Sequence, residues 1–87
     1  MTFEFDPAKS AANQSKHGID FVTAQKLWED SNLLVLSSKH PGEPRQLAIG
    51  QWSGKLWTAI FTERSGAVRI ISVRRARNDE IRIHGRH

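Results

Sequence analysis

Phe3-Glu-Phe5 alternates apolar and polar side chains, the pattern of a short edge strand. Asp6-Pro7 then reads as a helix start, because an Asp side chain accepts from free N–H groups and Pro suits the first helical position. From Ala8 to His17 the chain is rich in Ala, Lys, Gln and Ser, and Gly18 supplies the C-cap. The apolar stripe of this helix is thin (Ala8, Ala11, Ala12), so the helix is expected to lie close to whatever it covers. Asp20 predicts a second N-cap. Behind it, Phe21, Val22, Ala24, Gln25 and Trp28 approximate the spacing of an amphipathic helix that ends near Asp30-Ser31-Asn32.

The period changes after that point. Leu33–Ser38 is a short apolar run closed by the loop Lys39-His-Pro-Gly-Glu-Pro44, and predicts a buried strand. Gln46–Trp52 and Lys55–Glu63 are strand-like runs on either side of Ser53-Gly54, a two-residue hairpin signal. Arg64-Ser-Gly66 is a further turn, and Ala67–Val73 carries the β-branched Val68, Ile70, Ile71 and Val73. Asn78 or Asp79 is placed to cap a last short helix, Glu80 to His84. The expected fold is α+β: two N-terminal helices packed on a four- to five-stranded antiparallel meander sheet, with a short C-terminal helix. No repeat or linker interrupts it, so residues 1–87 read as one domain.

Charge changes this picture more than composition does. Lys and Arg number 13 against 9 Asp and Glu, and the chain has no cysteine. A disulfide framework and thiolate metal sites are therefore excluded. All five lysines lie at or before Lys55, whereas seven of the eight arginines lie from Arg64 onward, opposed there only by Asp79 and Glu80. Cations gathered at one end of a small domain form an anion-binding footprint. Nucleic acid or an acidic protein fits it. A membrane fits worst, because the arginines interrupt a strand pattern and do not line an amphipathic helix. The N-terminus has no basic segment followed by an apolar run, and no apolar segment approaches the ~20 residues of a membrane helix. A cytoplasmic protein is expected.

Two stretches carry a resemblance. Phe3-Glu-Phe-Asp-Pro-Ala-Lys9 with Asn13-x-x-Lys-His-Gly-Ile-x-Phe21 resembles the opening signature of the BrnT family of bacterial toxins. Thr62-Glu-Arg64, Arg69-Ile-Ile-Ser-Val-Arg-Arg-Ala76 and Glu80 are similar to that family's second half in order and spacing. The match spans nearly the whole chain. It implies a RelE-like fold, RNA cleavage that blocks translation and arrests growth, and a ribbon-helix-helix antitoxin partner of the BrnA kind, with a heterotetramer as the expected assembly. Operator DNA would be bound only indirectly, through the antitoxin. One position departs: His84 stands where the family's C-terminal Glu-Arg-x-x-Tyr pattern has Tyr. In RelE-like toxins that end often supplies a Tyr or His to the active site.

RNA cleavage without a metal requires that the 2′-OH lose a proton, that charge on the non-bridging oxygens be stabilised, and that the 5′-oxygen gain a proton. No carboxylate/His cluster with metal-ligand spacing is legible, so no metal or other cofactor is expected. His17 and His84 are the imidazoles considered for proton transfer. Arg64 and Arg74 join them as catalytic-site candidates, holding phosphate with planar guanidinium groups. Lys9, Lys16, Arg69 and Arg75 are assigned to substrate binding. Plainer roles compete. His17 and Lys16 sit at a helix end where a cation favours the dipole, and Glu80 has the place of a helix-start residue. Lys9 lies in a first turn, where a cation is mildly unfavourable. His40 is assigned no role.

Strict alternation puts Arg74 on one face of its strand and Arg69 on the other, so both line one cleft only if a bulge intervenes. Arg64 and Arg74 are about ten residues apart, ~33 Å along an extended chain. Trp52 and Trp57 flank the hairpin and are expected to pair across strands. Trp28 is expected in the helix–sheet core. The alternative to a nuclease is a non-catalytic basic module that docks a protein or RNA without cleaving it. Direct DNA reading by this chain is disfavoured, since no helix carries the basic residues.

Overall fold

A computed structural model describes residues 1–38, 42 and 44–87. Lys39, His40, Pro41 and Glu43 of the expected loop lie outside the described residues. The elements are β1 (Thr2–Glu4), α1 (Pro7–His17), α2 (Phe21–Ala24), a 3-10 segment (Gln25–Glu29), β2 (Leu34–Ser38), β3 (Arg45–Trp52), β4 (Lys55–Arg64), β5 (Ala67–Arg75) and α3 (Asn78–Arg86). One five-stranded sheet runs in the order β1-β5-β4-β3-β2.

Strands β2 to β5 form the antiparallel meander, but β1 pairs parallel to β5, with Phe3 opposite Val68. The sheet is therefore mixed, which corrects the all-antiparallel expectation. The short connections between successive strands favour antiparallel pairing within β2–β5 only. The chain from β1 to β5 passes through two helices and three strands, long enough for the crossover that a parallel pair requires.

Both Ser-Gly turns have the backbone that a two-residue hairpin needs. Ser53 and Gly54 have φ of 53° and 75°, and Ser65 and Gly66 have 50° and 82°. Positive φ at both central positions is the type I′ pattern, whose twist matches that of the strands. Trp57 lies opposite Gly50 and Trp52 opposite Lys55, so the two tryptophans are diagonal neighbours and not a direct pair.

Helices α1 and α2 cover one face, and α3 lies against the other, where Glu80 meets Thr58. Ala48, Trp57, Ala59, Phe61, Val68, Ile70 and Val73 point into a core completed by Ile19, Phe21, Ala24 and Leu27. Trp28 packs edge-on against both Phe3 and Phe61. The expected second helix is cut short: α2 has four residues, and a five-residue 3-10 segment follows. Its buried residues, Phe21, Ala24 and Leu27, recur every third position, so a three-residue turn keeps them on the sheet. Val22, expected on the apolar face, is exposed. Gly50 receives this segment: a Cβ there would stand 2.8 Å from the Leu27 carbonyl oxygen.

Helix α1 buries polar side chains where alanines were expected to face inward. Ala8, Ala11 and Ala12 are exposed, while Ser10 and Asn13 are buried. Each of these two satisfies backbone that would otherwise be orphaned. Ser10 Oγ accepts the Phe21 N–H, and Asn13 bonds both the N–H and the carbonyl of Val73 while also donating to the Ile19 carbonyl. Asn13 thus acts as a neighbouring strand along β5 where β1 has ended. The caps follow expectation at Asp6, Gly18 and Asp20. At α3 the cap position is Arg77, not Asn78 or Asp79, and the Glu80 carboxylate accepts its N–H.

Candidate nucleic-acid interface

The second face of the sheet is set by a bulge. Phe61 pairs with Ile70 and the adjacent Ile60 with Ser72, leaving Ile71 as an extra residue in β5. Two residues on β5 oppose one step on β4, so the alternation of β5 is reset. Arg69, opposite Thr62, and Arg74, opposite Thr58, consequently share the face away from the core. Thr58 and Thr62 are four residues apart on β4, which separates the two arginines by about 13 Å along the sheet. The ~33 Å expected between Arg64 and Arg74 also shrinks, because the Ser65-Gly66 turn folds Arg64 back beside Ala67.

Lys9, Arg45, Arg64 and Arg69 converge on one hollow of about 170 Å³ on this side of the molecule, with Ile71 of the bulge in its wall. Each arrives by a separate route. Arg64 and Arg69 flank the type I′ turn between β4 and β5. Arg45 opens β3 and, by the alternation that sends Ala48 into the core, points to the opposite face. Lys9 lies one helical turn before Asn13, whose bonds to Val73 hold that face of α1 against the β5 edge. Arg69 also sits 3.8 Å from Glu4 on the parallel strand. Arg45 was missed in the sequence. The alternation Arg45, Leu47, Ile49 carried its direction, but nothing local announced that β3 would deliver it beside Arg69.

The other sequence candidates occupy different positions. Arg74 is held by Glu80 through two hydrogen bonds, Nη1–Oε1 at 2.8 Å and Nη2–Oε2 at 2.9 Å, and Glu80 also accepts from Thr58 Oγ1. Burial alone would raise the Glu80 carboxyl, but the bonds from Arg74, the Arg77 N–H and Thr58 outweigh it and pull it down to about 2. His84 is buried, with Nε2 3.2 Å from Asp30 Oδ2. Burial works against charge on Asp30 too, yet the N–H groups of Asn32 and Gln51, with His84, hold it below the usual carboxylate range. Glu80 and His84 therefore anchor α3 at two points, leaving Ile81 and Ile83 outward.

Arg75 lies opposite Trp57 on the side covered by α1 and α2, its guanidinium carbon 5.5 Å from the ring centroid. His17 and Lys16 are in the last turn of α1. His17 lies eight residues from Lys9, about 12 Å along the helix. Neither lines the hollow. Among the described residues no helix is long and apolar enough to cross a membrane.

The chemistry of such a hollow is that of an anion site: three planar guanidinium groups and an ammonium reach one small concavity on a rigid sheet, where they suit phosphate oxygens. No curated protein sequence matches the chain. Residues 5–80 do match the family described as the ribonuclease toxin, BrnT, of type II toxin-antitoxin systems. That span includes the bulged strand, Lys9 and all three arginines of the hollow, and on it the chain belongs to the BrnT family of ribonuclease toxins.

Proposed function

We propose that this protein is a metal-independent endoribonuclease whose scissile phosphate is bound in the hollow formed by Lys9, Arg45, Arg64 and Arg69. The observation that carries the reading is the convergence of these four cations from α1, β3, β4 and β5. Arginine keeps its proton at any working pH, so the guanidinium groups stabilise charge building on the non-bridging oxygens. The Lys9 ammonium is able to give a proton to the departing 5′-oxygen. Attack by the 2′-oxygen, whose proton passes to solvent water, forms the P–O2′ bond, breaks the P–O5′ bond and leaves a 2′,3′-cyclic phosphate. Lys16 and His17 continue the basic edge of α1 as further contacts for the strand. Arg74 and His84 act through α3, which they tie to the sheet, and Arg75 acts at the periphery.

Membership of a type II family implies a protein antitoxin. In this reading it is a ribbon-helix-helix protein that covers the basic face in a heterotetramer and carries the operator contacts, so the toxin meets DNA only through it. Released toxin cleaves RNA in the cytoplasm, inhibits translation and arrests growth.

Purified protein incubated with naked and ribosome-bound RNA in EDTA tests the proposal. Cleavage with cyclic phosphate ends is expected, slowed at least tenfold by Lys9→Ala, Arg64→Ala or Arg69→Ala. Intact RNA in both assays would leave the hollow as a docking site without chemistry, the role of a basic binding module.

A further inference from the structure

One row of side chains crosses the second face of the sheet at the level of the hollow. Arg69 of β5 is opposite Glu4 of β1 on one side and Thr62 of β4 on the other, and Arg45 of β3, one residue before the Gln46–Phe61 pair and opposite Ser38 of β2, lines the same hollow as Thr62. At the centre of the row Thr62 is 3% exposed. Among the described residues its Oγ1 has no hydrogen-bond partner, and neither does the buried Nε of Arg45. The two residues share a face and border a second hollow of about 490 Å³ that adjoins the first through Arg45.

A buried hydroxyl without a partner is costly, and native proteins leave few. Arg45 and Arg69 stand near Thr62, and a guanidinium offers donors only, so neither can receive the Thr62 hydroxyl proton. An Oγ–H and an Nε–H side by side are two donors that one acceptor with two lone pairs satisfies together. A phosphate oxygen is such an acceptor. Arg45 is only half-buried and is therefore partly open to a ligand in the hollow that it lines with Thr62.

We propose that Thr62 Oγ1 and Arg45 Nε form a second phosphate subsite, which receives a backbone phosphate of the RNA next to the one in the first hollow, with Arg45 shared between the two hollows. The inference rests on the reading of the first hollow as an RNA site. Thr62 is then a binding residue kept unpaired in the free protein at the expense of stability. Its position beside Arg45 makes the register of the RNA strand run from β5 toward β2, across the sheet and not along it.

Thr62→Val separates this role from a structural one, because it removes the hydroxyl and keeps the branched shape. The probe is a fluorescein-labelled ten-nucleotide RNA with 2′-O-methyl riboses, which binds without being cleaved, alongside a deoxy strand of the same sequence. The full-length variant is expected to melt at the wild-type temperature or a few degrees above it. It is expected to bind both strands roughly tenfold more weakly. Arg45→Leu is expected to weaken both by a similar factor. Wild-type affinity in Thr62→Val overturns the subsite, and so does a lower melting temperature, which would reveal a structural partner for the hydroxyl. A loss confined to the RNA strand overturns the phosphate assignment in favour of a ribose contact. Arg64→Ala in the same titration guards the underlying reading. If wild type fails to bind, or Arg64→Ala binds as well as wild type, the first hollow is not an RNA site and both readings fall. If Arg64→Ala is weakened and Thr62→Val is not, only the second subsite falls.

Discussion

Arg74 and Glu80 meet in a two-pronged contact, 2.8 and 2.9 Å long, that joins the end of β5 to the first turn of α3. The pair fixes how the protein responds to acid. The Glu80 carboxyl is held near 2, below its ordinary 4.5, so its contribution is complete above pH 4.5 and disappears as pH falls toward 2. Asp30 and Asp20 are shifted in the same direction and act with the same sign. Wild type should lose stability steeply through that window. Glu80→Gln should be less stable by about 3 kcal/mol at pH 7. Thermal melts from pH 7 to pH 2.5 should show that gap closing as wild-type Glu80 takes up its proton. A gap independent of pH would mean that the pair contributes through packing alone.

Asn13 is expected to matter more than any apolar residue of α1. Replacing it with Ala removes three buried hydrogen bonds and leaves the Val73 N–H and carbonyl unpaired, at a cost of about 3 kcal/mol. Because Lys9 stands one helical turn before Asn13 on α1, RNA cleavage measured well below the melting temperature should fall too. Urea denaturation and an initial-rate assay on the same preparation check both. Unchanged cleavage in a destabilised variant would detach Lys9 from this support.

Two glycines should respond to alanine with opposite signs. At Gly50 a Cβ meets the Leu27 carbonyl at 2.8 Å and a Leu33 methyl at 3.1 Å, so Gly50→Ala should destabilise by about 1–3 kcal/mol. At Gly85, in α3, a Cβ meets nothing within 4 Å, and Gly85→Ala should stabilise by about 0.5–1 kcal/mol. Urea midpoints at constant m-value distinguish the two. Equal effects would show that helix or strand propensity, and not the close approach of the 3-10 segment, governs Gly50.

The hairpin at Ser53 offers a small gain. Ser53 holds φ of 53°, a conformation that Asn accepts more readily, so Ser53→Asn should raise stability by a few tenths of a kcal/mol to about 1 kcal/mol. A melting temperature below wild type would point to an Ser53 hydroxyl contact of its own.

Local chemistry wrote much of the fold into the chain. Asp6-Pro7, Gly18 and Asp20 bound α1 and α2 because capping depends on a few neighbouring atoms. The Ser-Gly pairs place two turns for the same reason, and β-branched runs between them place the strands. Arg64, Arg69 and Lys9 were legible as candidates because a rigid element bearing cations is visible in one dimension. What tertiary structure alone decided are the facts that depend on which segment lies beside which: β1 parallel on β5, the polar buried side of α1, and Arg45 arriving next to Thr62. The bulge at Ile71 belongs with these. It depends on how β5 fits β4, and without it Arg69 and Arg74 would face opposite sides of the sheet. Glu80 and His84 are also settled by partners distant in sequence, since a charged side chain becomes an anchor only when folding brings Arg74 or Asp30 within hydrogen-bond reach.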